Sequence, residues 1–185
     1  MTDLRKQWLG VVAVVAAVAA GVIVLVRRAP VPIEVGATAP DFTATDLSTG
    51  ATRSLHADYR GSVTLINVWA TWCEPCKREI PALDSLYRVL GPKGLRIAAV
   101  SIDRGDPAPV KAFMDGFGVT FDVLHDPEGT IQQIYQGTGV PESFLVDRDG
   151  QIVRIVYADH PWASPTNQRI IGELLARQPA DRDAP

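Results

Sequence analysis

Trp69-Ala70-Thr71-Trp72-Cys73-Glu74-Pro75-Cys76 holds both cysteines of the 185-residue chain, three positions apart, where an apolar run gives way to a helical pattern. Two cysteines placed at random in a chain of this length take that spacing only about 1% of the time, so the pair reads as functional. Thiols at C-x-x-C spacing close a small, reversible disulfide, and a helix N-terminus beside them favours the thiolate that attacks. A purely structural disulfide fits poorly, because so small a ring removes little loop entropy. A structural zinc site needs four ligands, and the chain offers no second cysteine pair and only the scattered His56, His125 and His160.

Composition bounds the rest. Hydrophobic residues make up 46% of the chain, enough for one ordinary core, and the net charge of -3 with pI near 5.6 leaves no basic footprint for nucleic acid. Residues 7–26 are uncharged and rich in Val and Ala. As a helix they reach roughly 30 Å, the thickness of a bilayer core. Arg5 and Lys6 precede the run and Arg27 and Arg28 follow it, so the basic residues alone leave orientation open. A cleaved signal peptide competes with an uncleaved anchor, since Ala17-Val18-Ala19 offers a small-residue cleavage pattern. The apolar run, however, continues past it to Val26, which favours the anchor. Either reading sends the remainder out of the cytoplasm.

The expected organisation is a membrane anchor or signal over residues 1–28, a Pro-containing tether over 29–35, one folded domain over 36–177, and a disordered tail over 178–185. Within the domain, the apolar run 63–70 predicts a strand buried on both faces, interrupted by the polar Asn67. Residues 74–90 predict a helix from the spacing of Ile80, Leu83, Leu86, Tyr87 and Leu90, with a kink at Pro81. A second strand is expected over 95–102, a helix over 109–117, and a short helix through Tyr135 opened by a Thr130/Gln133 capping box. Strands 143–146 and 152–157 flank an Asp149-Gly150 hairpin turn, and Ser164-Pro165 opens a last helix to about residue 177. These elements make an α/β domain, a mixed sheet with helices on both faces. The cysteine pair falls at the carboxyl end of a central strand, where such sheets place their sites.

Trp72-Cys73-Glu74-Pro75-Cys76 after a buried strand, with Gly139-Val140-Pro141 before a hairpin, resembles the thioredoxin fold. Ala39-Pro40-Asp41-Phe42, Leu65-Ile66-Asn67-Val68-Trp69-Ala70-Thr71-Trp72 and Val140-Pro141-Glu142-Ser143-Phe144-Leu145-Val146-Asp147 narrow the resemblance to the membrane-anchored TlpA-type subfamily, which includes ResA and CcmG (DsbE). The resemblance implies a thioredoxin fold with an N-terminal β-hairpin extension. It assigns Cys73 as the exposed nucleophile, Cys76 as the more buried resolving thiol, and Val140-Pro141 as a cis peptide that faces the pair and presents the Val140 backbone to an extended partner. Asn67 stands where thioredoxin carries a buried Asp. Glu79 matches an acidic position linked to thiol tuning in ResA-like proteins, and a turn beyond Cys76 it shares that residue's helix face. The alternative for Glu79 is a solvated surface carboxylate beside Lys77 and Arg78. Glu74 and Pro75, between the cysteines, are expected to tune the potential, Glu74 opposing thiolate formation. Trp72 is expected to shield the site or meet the partner and Trp69 to pack in the strand, with His125 and His160 as ordinary loop residues.

The implied function is an extracytoplasmic (periplasmic) thiol-disulfide oxidoreductase that reduces the C-x-x-C-H thiols of apocytochrome c, or of a carrier, in cytochrome c biogenesis. Its electrons would come from a membrane partner of the CcdA/DsbD type, with no metal and no cofactor beyond the Cys73-Cys76 disulfide. A Cu(I)-handling or copper-site maturation role is the alternative, since two thiolates bind soft metals, although copper chaperones of this fold use C-x-x-x-C and a distant His. A peroxiredoxin-type peroxidase shares the Ala-Pro-Asp-Phe pattern but places a Pro ahead of its reactive Cys that is missing here.

Overall fold

The apolar run at the amino terminus folds as helix α1 (Thr2–Arg27) in the computed structural model, which describes residues 2–27 and 32–177 and divides the chain into two units, Met1–Pro32 and Ile33–Pro185. Side chains of α1 are described for residues 8–9 and 11–21, a stretch shorter than a bilayer span. Among the described residues no helix is long and apolar enough to cross a membrane. The structure therefore shows a helix over the expected anchor and does not show a transmembrane segment. The expected tail, 178–185, lies outside the described residues, as do residue 28 at the end of the expected anchor and 29–31 at the start of the tether.

The second unit is built on a seven-stranded mixed sheet. Its elements are β1 (Thr43–Asp46), β2 (Thr52–Ser54), α2 (Leu55–Asp58), β3 (Val63–Trp69), α3 (Glu74–Leu90), β4 (Leu95–Ser101), α4 (Pro107–Phe117), β5 (Asp122–His125), α5 (Thr130–Ile134), β6 (Glu142–Val146), β7 (Ile152–Tyr157) and α6 (Pro165–Ala176), with a 3-10 turn Gly91–Lys93 after α3. The strand order is β2-β1-β5-β4-β3-β6-β7. β3 and β5 flank β4 in parallel, and β6 pairs antiparallel with both β3 and β7. The β1–β2 hairpin extends the β5 edge. Its turn is held by Asp46, whose carboxyl accepts from the Ser48 hydroxyl and amide, the Thr49 amide and Arg53. Burial opposes that charge, yet those donors outweigh it and hold the carboxyl at about 2.

Every residue of β3 is buried because the strand is covered on both faces. Val63, Leu65 and Trp69 face a core completed by Ile80, Leu83, Leu86 and Leu90 of α3, Val110 and Met114 of α4, and Ile171 of α6. Ile66 and Val68 face the opposite core, closed by Leu55 and Tyr59 around α2 and by Ile131 and Tyr135 around α5. Burying each of the four α3 side chains stabilises the fold by roughly 1.5–3 kcal/mol. Strand alternation puts Asn67 on the same face as Leu65 and Trp69, under α3.

Several boundaries and caps depart from the sequence expectations. α3 runs unbroken through Pro81, since packing along its buried stripe outweighs the lost backbone hydrogen bond. α4 starts two residues early, at Pro107, because Asp106 caps it by accepting from the Ala108 amide. The Thr130/Gln133 capping box does not form: the N-cap of α5 is Gly129, at φ 64°, and Asp126 instead accepts from the Ile131 amide at 2.7 Å. A side chain from the preceding turn thus replaces the local cap. Ser164 caps α6 by accepting from the Asn167 amide, with Pro165 at the first helical position. β5 carries His125, which is a buried strand residue and not a loop residue.

Candidate active site

Where β3 ends, the chain turns through Ala70-Thr71-Trp72 and enters α3 with Cys73 as its N-cap. Cys73 and Cys76 form a disulfide. Cys73 Sγ accepts from the Cys76 amide at 3.2 Å, so the sulfur sits on the free N–H groups at the positive end of a 17-residue helix. On reduction that position favours the Cys73 thiolate. Cys73 is not the exposed thiol that the resemblance implied: at 5% exposed it is buried against the Val140 carbonyl, with Cys76 deeper still at 1%. Glu74 projects into solvent and pairs with Lys77 at 2.6 Å, an exposed pair that offsets its charge at the helix start only weakly. Pro75 occupies the first turn, where its missing N–H costs nothing.

Asp103, just past β4, ties the turn before the cysteines to the sheet. Its carboxylate accepts from the Thr71 amide at 2.9 Å, the Thr71 hydroxyl at 2.6 Å and the Ser101 hydroxyl at 2.7 Å. His125 Nε2 donates to the Asp103 carbonyl at 2.7 Å, which fixes the position of Asp103 from β5. The sequence carries no sign of this, because Thr71 after β3 and His125 of β5 lie 32 and 22 residues from Asp103.

Facing the disulfide, the Val140-Pro141 peptide is cis, and the Val140 carbonyl oxygen lies 3.5 Å from Cys73 Sγ. Glu142, buried at the start of β6, supports this loop: one carboxylate oxygen accepts from the Thr138 amide at 2.8 Å and the Gly139 amide at 3.1 Å. A Cβ at Gly137 would collide with the other Glu142 oxygen. Gly137→Ala is therefore expected to destabilise the domain by about 1–3 kcal/mol in denaturant unfolding. An unchanged midpoint would show that Glu142 does not hold the loop.

Trp72 is 65% exposed beside the nucleophile. It lines a groove of about 820 Å³ with Arg104, Glu128, Gln132 and Val140. On the far side of Val140-Pro141 a cleft of about 310 Å³ is bounded by Pro75 and Tyr157. Trp69 is buried and stacks on Phe113, with ring centroids 5.8 Å apart.

Glu79 is not a surface residue. It is 2% exposed, one turn beyond Cys76, and held by three donors. Trp162 Nε1 and the His160 amide donate to Oε1 at 2.6 and 3.2 Å, and Asn67 Nδ2 donates to Oε2 at 3.1 Å. Asn67 also donates to Ser143 Oγ at 3.0 Å, which orients its amide. Burial pushes the carboxyl up to about 7, further than the three donors pull it down, and the nearby charge of Asp159 adds to the rise. Of these partners the sequence pointed to Asn67 alone, as a polar residue in an apolar strand and at the place where thioredoxin carries a buried Asp. Trp162 and the backbone of His160 carried no signal.

A mixed sheet with a dithiol site at the carboxyl end of its central strand, faced by a cis-proline loop, defines a class: the thioredoxin-like thiol-disulfide oxidoreductases. Comparison with known proteins agrees. Residues 35–155 match the AhpC/TSA family. Thiol-disulfide oxidoreductase ResA of Geobacillus kaustophilus is 38% identical over 125 residues, 67% of this chain and 70% of the relative. ResA of Bacillus subtilis is 34% identical over 124 residues, 67% of this chain and 68% of the relative. The crystal structure of a Chlorobium tepidum protein assigned as the thiol:disulfide interchange protein DsbE superposes with a TM-score of 0.69 at 27% identity, covering 78% of this chain and 99% of that one. The chain belongs to the AhpC/TSA family and, within it, stands with the ResA-type thiol-disulfide oxidoreductases. Its activity is thiol-disulfide exchange.

Proposed function

We propose that the chain is a membrane-anchored reductant working outside the cytoplasm, whose substrate is the disulfide form of the C-x-x-C-H cysteines of apocytochrome c or of a carrier that serves them. The observation that carries this reading is the pairing of a helix-capping nucleophile, Cys73, with a buried carboxylate one turn beyond the resolving thiol. Similarity to ResA and DsbE proteins supports it, and the uncharged run 7–26 supports the anchor.

The reduced protein acts in two displacements. The Cys73 thiolate attacks one sulfur of the substrate disulfide; that S–S bond breaks, and the departing substrate thiolate takes a proton. Cys76 then gives up its proton and attacks Cys73 Sγ, closing the Cys73–Cys76 disulfide and releasing the second substrate thiolate. Two electrons pass from the dithiol to the substrate. Glu79, with its carboxyl at about 7, accepts the Cys76 proton near neutral pH. Trp72 and the Val140 backbone receive the substrate segment in extended form. A membrane donor of the CcdA/DsbD type returns the two electrons, and no external cofactor takes part.

The helix N-terminus favours the Cys73 thiolate, but the Glu79 carboxylate and Glu74 both oppose it, so the reduced state is not strongly favoured and the couple should be reducing. Equilibration of the full chain in thiol buffers is expected to give a potential below about -200 mV, whereas a value near -120 mV would make it an oxidant and overturn the proposal.

A further inference from the structure

We propose that Trp162 is a positioning residue for Glu79: its indole N–H, together with the His160 amide, clamps one carboxylate oxygen while Asn67 holds the other, and this clamp sets the pH at which Glu79 exchanges its proton. The inference rests on the proton-accepting role given to Glu79 above.

The clamp comes from the loop between β7 and α6, an element distant in sequence from the cysteines. Trp162 is 1% exposed, and its 2.6 Å contact with Oε1 is the shortest of the three. A bond that short between a neutral donor and a carboxylate is charge-assisted. The loop is itself fixed. Asn167 of α6, 4% exposed, donates to the Pro161 carbonyl at 2.8 Å and stands 3.0 Å from His160 Nε2. Arg154 of β7 donates to Asn167 Oδ1 at 2.9 Å, which turns the Asn167 amide so that its NH₂ faces His160 and makes His160 Nε2 the acceptor. The His160 ring meets the Trp162 ring edge-on at 4.7 Å, and the Arg154 guanidinium lies 5.9 Å from the Trp162 centroid.

The charged and titratable groups around the carboxyl are therefore Asp159, paired with Arg78 at the surface, His160 in the loop, Arg154 behind Trp162, and Cys76 on its own helix. Apart from the His160 amide, at 3.2 Å, none of these has a hydrogen bond to the carboxyl. All three donors favour the ionised carboxylate and burial opposes it, so removal of the strongest donor leaves burial to hold the proton to higher pH.

The test compares the full chain with Trp162→Phe, Glu79→Gln and the double variant in the pH profile of disulfide reduction, together with an isotope-edited infrared titration of the carboxyl. Phe keeps an aromatic ring at the site and removes the N–H, at the cost of a smaller side chain in a buried position. Trp162→Phe is expected to move the Glu79 inflection upward by about one pH unit, a roughly tenfold change in proton affinity. Glu79→Gln should abolish the inflection, and adding Trp162→Phe to it should move nothing further. Should Trp162→Phe fail to fold, Asn167→Ala, which frees Pro161 and His160 but leaves the indole, should raise the inflection by a smaller amount. If Glu79→Gln removes the inflection but Trp162→Phe and Asn167→Ala leave it in place, the positioning role is overturned while the role of Glu79 survives. If Glu79→Gln itself leaves the profile intact, the role of Glu79 fails, and the clamp on it fails with it.

Discussion

Replacement of Cys76 by Ser should arrest the protein as a covalent adduct with its substrate. Cys73 retains the Cys76-position amide at its sulfur, since that donor is backbone, so the first displacement proceeds. The second cannot, because a serine hydroxyl does not displace a thiolate from a disulfide. Multiple turnover should fall on the order of 10³-fold, while non-reducing gels show a mixed disulfide that dithiothreitol releases. Cys73→Ser should lose turnover to the same extent and form no adduct. An adduct on Cys73→Ser, or free turnover by Cys76→Ser, would reverse the roles of the two thiols. The different surroundings of the two sulfurs, one on the helix N-terminus and facing Val140, the other buried beneath it, are what make the outcomes unequal.

The second large effect is on stability. The folded Glu79 carboxyl keeps its proton up to about pH 7, whereas its ordinary value of 4.5 applies once the chain unfolds. Between those limits the unfolded chain binds fewer protons than the folded one, so stability falls as pH rises through that window and levels off above it. The full span is at most about 3 kcal/mol, on the basis of 1.36 kcal/mol per unit. Glu79→Gln should lack this slope and, at pH 8, match or exceed the parent in denaturant unfolding of the oxidised form. Gln still accepts from Trp162 and His160 without a buried charge, and that gain offsets the loss of the Asn67 bond, whose NH₂ group would meet the Gln NH₂. Parallel pH dependence in parent and variant would show that the carboxyl is not held where the structure places it.

The ResA-type dithiol site was legible in sequence because its chemistry is local. Cysteine spacing, the apolar run before it and the helical period after it sit within about thirty consecutive residues, and each follows from backbone periodicity. The Asp149-Gly150 turn and the Ser164-Pro165 helix start were legible for the same reason, since caps and turns involve neighbours a few positions apart. Where the cap came from farther away, as with Asp126 for α5, the local pattern misled. Strand β5 went unread because only four residues form it, between β4 and β1, and its pairing partners outweigh a weak local pattern.

Glu79 shows the boundary between the two sources most sharply. Its position on the Cys76 face of a helix follows from a period of 3.6 residues, which the sequence carries. Whether that face meets water or a core depends on residues some eighty positions later, Trp162 and His160, and these reach it only because β7 and α6 return across the sheet. The same carboxylate would be an ordinary surface acid if that loop lay elsewhere. The amino-acid sequence by itself determined which atoms react and on which elements they lie, because those are matters of short-range spacing. Only the tertiary structure decided the proton affinity of Glu79, the anchoring of Thr71 by Asp103 and the seating of the Val140 loop on Glu142. Desolvation and hydrogen bonding across strands are set by what the fold brings together from far along the chain.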